Sequence, residues 1–267
     1  MIRIISGQYR RRKLRTPKDA TVTRPLPDRV RTSIFNMLRG HIEGEIFLDA
    51  FAGVGSFGLE AASRGAGEVV MIEKDRDIAE LLQENIDDLG ANDTCRVIRG
   101  DALGAAILAG CPQPVHVVFF DPPYPMILDP ARRERVFGQF ARMVELLDDK
   151  GFAILRTPWP VVDRVVDGVR LQGGPAQEEV EEPRPGRQRR GERYPEEVAF
   201  TLEDFDDPAE AAATMSLPEA EESAEIESTE TELPGERMIM DLDIPGADGP
   251  ETHVYGSMAL HWYMRKR

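Results

Sequence analysis

The sequence predicts an α/β fold: a doubly wound, mostly parallel sheet closed by a C-terminal antiparallel hairpin, with a small basic arm in front. Three observations carry that expectation. Short apolar runs alternate with amphipathic helical stretches between residues 46 and 155. The first run passes through Gly53, Gly55 and Gly58 into a helix of small residues, the G-x-G-x-x-G spacing of a nucleotide-binding strand–turn–helix. The run at 117–120 is wholly apolar, as a strand buried on both faces must be, and it ends on Asp121-Pro122-Pro123-Tyr124.

Each element has its own signal. Residues 3–6 are strand-like, and Gly7 and Gln8 lead into the string Tyr9, Arg10, Arg11, Arg12, Lys13, Leu14, Arg15. Residues 16–19 break that pattern, so a small hairpin or arm is expected. Cations beside an aromatic suit a nucleic-acid surface, and a solvated charged edge is the equal alternative. Residues 24–27 are extended, Asp28 is placed to cap a helix, and Val30, Ile34, Phe35 and Leu38 give that helix its apolar stripe. Arg29 and Arg31 stand where cations oppose the helix dipole, which calls for a phosphate or carboxylate partner for one of them.

Residues 46–51 form the strand before the glycine loop. The strand at 68–72 ends on Glu73, 20 residues beyond Gly53 and at the distance of a ribose-binding acid in this motif. A helix over 77–89 carries Ile78, Leu81, Leu82, Ile86 and Leu89 on one face, with Gly90 as its C-terminal cap. A third strand at 96–98 leads to Gly100, Asp101 and Ala102. After the fourth strand, Asp129 and Pro130 start a helix that Gly151 closes, and 152–155 is the fifth strand. Residues 161–171 hold a further strand. From 173 to 236 Pro, Glu and Arg dominate, then Glu, Ala, Ser and Thr, a composition that predicts disorder. Residues 238–244 are expected to pair with 254–263 across 245–250 as the closing hairpin.

This divides the chain into 1–40, a basic arm and helix; 41–172, the core; 173–236, an acidic insert; and 237–267, the hairpin. At 267 residues it has room for one large or two ordinary domains. The net charge of −15 hides an uneven spread. Residues 1–40 hold 11 Lys/Arg against 2 Asp/Glu, and residues 175–252 hold 6 against 24. Two cysteines give neither a disulfide framework nor a cysteine metal site. No run has the length of a membrane span, and residues 1–14 are charged rather than signal-like. A cytoplasmic protein with no metal and no membrane partner is expected.

The end of the fourth strand carries the chemistry. Two prolines cannot extend a central strand, so the chain turns out at the C-terminal edge, where open α/β sheets bind ligands. The tetrapeptide suits methyl transfer to an exocyclic amine, a planar nitrogen whose lone pair is delocalised. The Asp121 carboxylate and the Pro122 carbonyl can each accept one N–H, orienting the amine and drawing off positive charge as it forms. Tyr124 offers a face on which a splayed-out base can stack. A plain turn with Tyr124 as a lid over the core is the alternative. A glycine fingerprint alone suggests NAD as readily, but hydride transfer has no use for an amine clamp. The sulfonium of S-adenosylmethionine needs only close backbone approach, which Gly53 and Gly55 permit.

In these segments the chain resembles the RsmD-type methyltransferases, which modify the N2 amine of a guanine in small-subunit ribosomal RNA. The matching stretches are Arg3 to Leu14, Arg24 to Leu38, Leu48 to Ala61, Ile72 to Asp75, Phe120 to Tyr124, and the closing Tyr255-Gly256. The resemblance implies a class I Rossmann-like fold, S-adenosylmethionine as cofactor, and 16S ribosomal RNA or a small-subunit assembly intermediate as partner, with a monomer expected. It places Asp49, Ala52, Gly53 and Gly55 at the methionine part of the cofactor, Glu73 at its ribose, and Asp101 with Ala102 at its adenine. Asp121, Pro122, Pro123 and Tyr124 hold the guanine amine. Arg10, Arg11, Arg12, Lys13, Arg24 and Arg29 face the RNA. Other readings stay open: Asp49 as a helix cap, Glu73 as an exposed acid, Asp101 as a turn residue. Amine methyltransferases acting on adenine in DNA or on a protein glutamine share the clamp, and a binding module without catalysis is the rival of another class. Two features depart from the family: Arg11 stands where glycine is usual, and the insert replaces a short connection.

Overall fold

The computed structural model describes residues 2–17, 26–159 and 241–267 in full, and three further strands by backbone alone. Arg24 and nearly all of the acidic insert lie outside the described residues.

The main sheet has seven strands. They are β1 (Ile46–Asp49), β2 (Glu68–Glu73), β3 (Cys95–Arg99), β4 (Val115–Phe120), β5 (Leu147–Pro158), β9 (Ala247–Tyr255) and β10 (Met258–Arg265). Their order is β3-β2-β1-β4-β5-β10-β9. The first five run parallel, and β10 pairs antiparallel with both β5 and β9. The chain leaves β1 toward β2 and β3, then returns to place β4 on the other side of β1. The topological switch point therefore lies between β1 and β4, where a crevice opens beyond the strand ends. β4 is buried along its whole length, as its unbroken apolar run requires.

The helices are α1 (Asp28–Met37), α2 (Gly58–Ser63), α3 (Arg76–Leu89), α4 (Tyr124–Leu128) and α5 (Pro130–Val144). The sheet separates two apolar clusters. One gathers Ile4, Leu14, Ile34, Phe35, Leu59 and Leu82, and the other gathers Leu48, Val118, Phe120, Phe140 and Tyr263. Gly90 caps α3 at φ 67, and Asp129 caps α5 through the N–H groups of Ala131 and Arg132, both as the sequence indicates.

Three local expectations are corrected. Asp28 is the first residue of α1 and bonds no helix-end amide; it holds Arg31 at 3.0 Å and Arg3 at 3.3 Å instead. Gly151 lies within β5 rather than closing α5, because that strand starts at Leu147, and a Cβ at Gly151 would meet the His116 carbonyl at 2.6 Å. The closing hairpin turns at Gly256, with φ 59, between β9 and β10, whereas β8 (Glu236–Ile239) joins β6 (Val162–Val166) and β7 (Val169–Leu171) in a separate three-stranded sheet. One long apolar stretch had concealed a turn near its start.

The basic arm is a hairpin fastened to the core. Ile4 N–H donates to the Arg12 carbonyl at 2.9 Å and Leu14 N–H to that of Ile2 at 3.0 Å, while the side chains of Ile4 and Leu14 are buried. The Glu60 carboxylate, on α2 and fully buried, accepts from Ile5 N–H at 2.7 Å, Ser6 N–H at 3.0 Å and Arg64 Nε at 2.8 Å. Arg31, also fully buried, sits 4.0 Å from Glu60 and so meets the expected carboxylate partner. Gly7 is fixed by contact, since a Cβ there would lie 1.9 Å from the Ser63 carbonyl oxygen. Arg11 takes φ 66, the left-handed conformation that suits glycine, so the arm keeps its turn despite the side chain.

Candidate active site

Four loops meet at the C-terminal edge of the parallel strands. After β1 the chain turns through Gly53 (φ 55) and Gly55 (φ 89), closed by Gly55 N–H on the Ala52 carbonyl at 2.8 Å. The three glycines do different work. A Cβ at Gly55 would meet Leu82 at 2.5 Å, and one at Gly58 would meet Met71 at 2.6 Å, so these two serve packing against α3 and β2. A Cβ at Gly53 would meet nothing within 4 Å. Close approach of a ligand to the backbone is thus a property of Gly53, and Gly55 serves it only by shaping the turn.

Glu73, at the end of β2, accepts Gly53 N–H at 2.9 Å on one oxygen and Asp75 N–H at 2.7 Å on the other. It ties the glycine loop to the neighbouring strand and retains lone pairs for a hydroxyl. Asp49 is buried and accepts Gly58 N–H at 3.1 Å, so it does cap α2 from the strand end. Burial raises the pKa of Asp49 to about 7; Gly58 N–H opposes this, while Asp121 and Glu73 add to it. Three carboxylates thus lie close enough to act on one another at the C-terminal ends of β1, β2 and β4. Asp101 makes a turn bond to Leu103 N–H at 3.1 Å and pairs with Lys74 at 2.9 Å, and Ala102 is buried behind it. Against partial burial, Lys74 and that N–H hold the Asp101 carboxyl below its usual range.

Beyond β4, Pro122 is buried, Pro123 is exposed, and half-buried Tyr124 opens the short helix α4. The Asp121 carboxylate faces Arg156 of β5, whose Nη1 donates to Oδ2 at 2.7 Å. Nη2 of Arg156 donates to the Tyr124 hydroxyl at 3.2 Å, and its guanidinium carbon lies 5.3 Å from the centre of the Tyr124 ring. Burial raises the pKa of Asp121, and Arg156 opposes the rise. Arg156 was not legible as a site residue. Its only signal is one cation directly after the apolar run 152–155, at a point where the sequence reads as a strand end.

The structure brings Asp49, Gly53, Glu73 and Asp121 into electrostatic or hydrogen-bonding contact. The arm lies on the α2 and α3 side. Arg11, Arg12 and Lys13 are exposed there, Arg12 reaches the Asp88 carbonyl at 2.5 Å, and Arg29 is exposed on α1. Buried Asn85 joins the two regions: it accepts Arg15 N–H at 2.7 Å and donates to the Val54 carbonyl of the glycine loop at 3.0 Å.

Among the described residues one group has potential metal ligands: Glu45, His116 and Asp148. It lies at the start of β4, the opposite edge of the sheet. His116 is already bonded there, to Asp148 at 2.7 Å and to His41 at 2.9 Å. No helix among the described residues is long and apolar enough to cross a membrane.

The chain is similar to known proteins. The family described as Conserved hypothetical protein 95 matches residues 2–142. Ribosomal RNA small subunit methyltransferase D of Escherichia coli (strain K12) is 40% identical over 151 residues, covering 57% of this chain and 69% of that one. Putative rRNA methyltransferase YlbH of Bacillus subtilis (strain 168) is 36% identical over 124 residues, covering 46% and 67%. Among solved structures, a putative methyltransferase yhhF from Escherichia coli has a TM-score of 0.57 at 24% identity, over 99% of this chain and 98% of that one, a likeness of fold. The match spans more than half of the chain and holds the arm, glycine loop and Asp-Pro-Pro-Tyr turn in one order, so the chain belongs to the Conserved hypothetical protein 95 family, that of the RsmD-type methyltransferases.

Proposed function

We propose that this protein transfers a methyl group from S-adenosylmethionine to the exocyclic N2 amine of a guanine in 16S ribosomal RNA. The observation that carries the reading is the group of carboxylates at the switch point, with buried Asp49 beside the part-exposed Asp121 and Glu73. A cofactor bearing both a sulfonium and an ammonium brings positive charge to this group. The open space beside Gly53 gives it backbone to approach. A dinucleotide would bring two phosphates to the same acids and meet repulsion.

When bound, the cofactor supplies an electrophilic methyl group. Asp49, Ala52 and Gly53 hold its methionine part on the turn that Gly55 shapes, Glu73 accepts from its ribose hydroxyls, and Asp101 with Ala102 borders its adenine. Asp121 and the Pro122 carbonyl accept the two N–H groups of the guanine amine, pointing the nitrogen lone pair at the methyl carbon. Proximity and orientation supply much of the acceleration. Positive charge growing on nitrogen is stabilised by Asp121, an interaction strongest in the transition state. Tyr124 gives the base a face to stack on. The exposed cations Arg11, Arg12, Lys13 and Arg29, with Arg10, bind phosphates around the entrance, and the resemblance gives Arg24 an RNA-binding role as well. The arm's exposed charge supports a nucleic acid over a protein as the acceptor, and the names of the relatives support RNA over DNA.

The test is a map of small-subunit ribosomal RNA modifications by mass spectrometry, in cells with and without the protein. One N2-methylguanosine should vanish on deletion and return with the wild-type gene. An unchanged set of modifications would refute the reading, and loss of a methyladenine would redirect it to another amine.

A further inference from the structure

We propose that Arg156 is a positioning residue for methyl transfer, its guanidinium holding the Asp121 carboxylate by one oxygen and the Tyr124 ring by hydroxyl and face. The inference rests on the function proposed above. In the parallel pairing of β4 with β5, Phe120 stands opposite Leu155, so Asp121 and Arg156 are the next step along both strands. Strand register delivers the pair without help from a loop. The Arg156 side chain is 4% exposed and the Asp121 side chain 20%, so the cation lies beneath the carboxylate, and Asp121 is the partner that reaches the crevice. Arg156 touches Asp121 through Nη1 and Tyr124 through Nη2, a fork that a lysine ammonium cannot reproduce.

Packing alone does not account for this arginine. A buried ion pair is often no more stable than apolar residues of similar volume, and the buried Nε of Arg156 has no hydrogen-bond partner. The arrangement does suit an amine clamp. With Oδ2 engaged by Arg156, Oδ1 is the oxygen left to accept the amine N–H, so the acceptor meets one fixed lone-pair direction. The same cation favours the charged form of Asp121 where burial would neutralise it. Other ionisable groups around the crevice are Asp49 on β1, Glu73 on β2 and Tyr124. On β10, His261 bonds Thr157 and Thr252 and leaves Arg156 alone.

The experiment compares wild type, Arg156→Gln and Arg156→Lys as full-length protein. Thermal melting checks the fold, calorimetry gives cofactor affinity, and single-turnover methyl transfer to small-subunit RNA is followed from pH 5.5 to 9. Carbon-13 NMR of labelled aspartate follows the Asp121 titration. Arg156→Gln should lower the rate on the order of 10–100-fold and move both the acid limb of the rate and the Asp121 titration to higher pH. Arg156→Lys should keep the titration near wild type yet still lose rate, because one ammonium cannot bond both partners. Cofactor affinity should change little in either.

A folded Arg156→Gln variant with wild-type rate and an unmoved acid limb would overturn the proposal. So would a faster variant, which would mark Arg156 as an obstacle to the base. Should Arg156→Gln fail to fold, a wild-type rate in Arg156→Lys overturns it equally. If wild-type protein transfers no methyl to RNA, the proposed function falls, and the Asp121 titration still decides whether Arg156 governs that carboxylate.

Discussion

Asp49→Asn should make the cofactor-free protein gain stability relative to wild type as pH rises, while weakening its hold on the cofactor. Asp49 is buried, and its pKa is raised to about 7 by that burial, with Asp121 and Glu73 adding to it. A carboxyl whose folded pKa lies above its unfolded value of 3.8 stabilises the fold fully below that value and loses the contribution as pH rises through about 7. Linkage over that window amounts to about 2–3 kcal/mol between pH 5 and pH 8. Asparagine keeps an oxygen for Gly58 N–H and cannot ionise. Denaturant unfolding of both proteins at pH 5 and pH 8 reads the effect together with the response of Asp121 and Glu73 to the lost charge, since groups away from Asp49 titrate in common. The variant should gain about 2–3 kcal/mol on wild type in going from pH 5 to pH 8, whatever the offset at pH 5. Cofactor affinity at pH 8 should fall at least tenfold, because the ammonium and sulfonium lose a charged neighbour. Parallel stability profiles for the two proteins would refute the strained carboxylate, and a gain in stability with unchanged affinity would separate Asp49 from the cofactor.

Glu73→Ala should weaken cofactor binding measured by calorimetry, through lost ribose contacts and through the freed N–H of Gly53; equal affinity would remove Glu73 from the site. Glu60→Gln leaves fully buried Arg31 without its buried counter-charge and should cost about 3 kcal/mol in denaturant unfolding, with the arm more open to protease. Arg11→Gly should raise stability by up to about 1 kcal/mol, since relief at φ 66 outweighs the extra freedom of glycine when unfolded. Combining Arg11→Glu with Arg12→Glu should lower RNA affinity and flatten its salt dependence while leaving cofactor affinity in place. An RNA affinity indifferent to both salt and these charges would refute the arm as the phosphate-binding face.

The sequence by itself determined whatever depends on near neighbours in the chain. The parallel core, the buried β4, the glycine turn, the caps of α3 and α5, and the Asp-Pro-Pro-Tyr exit were all legible, because periodicity, turn chemistry and capping act over a few residues. Tertiary structure alone decided which distant groups came to face each other. Arg156 reached Asp121 across 35 residues through strand register, and Glu60 reached Ile5 across 55 through the docking of the arm. The roles of Gly53 and Gly55 diverged only once Leu82 stood beside one and open space beside the other. Burial made the charges of Asp49 and Asp121 interdependent. A carboxylate's cost depends on the solvent and counter-charge around it, and those are fixed by where the rest of the chain lies.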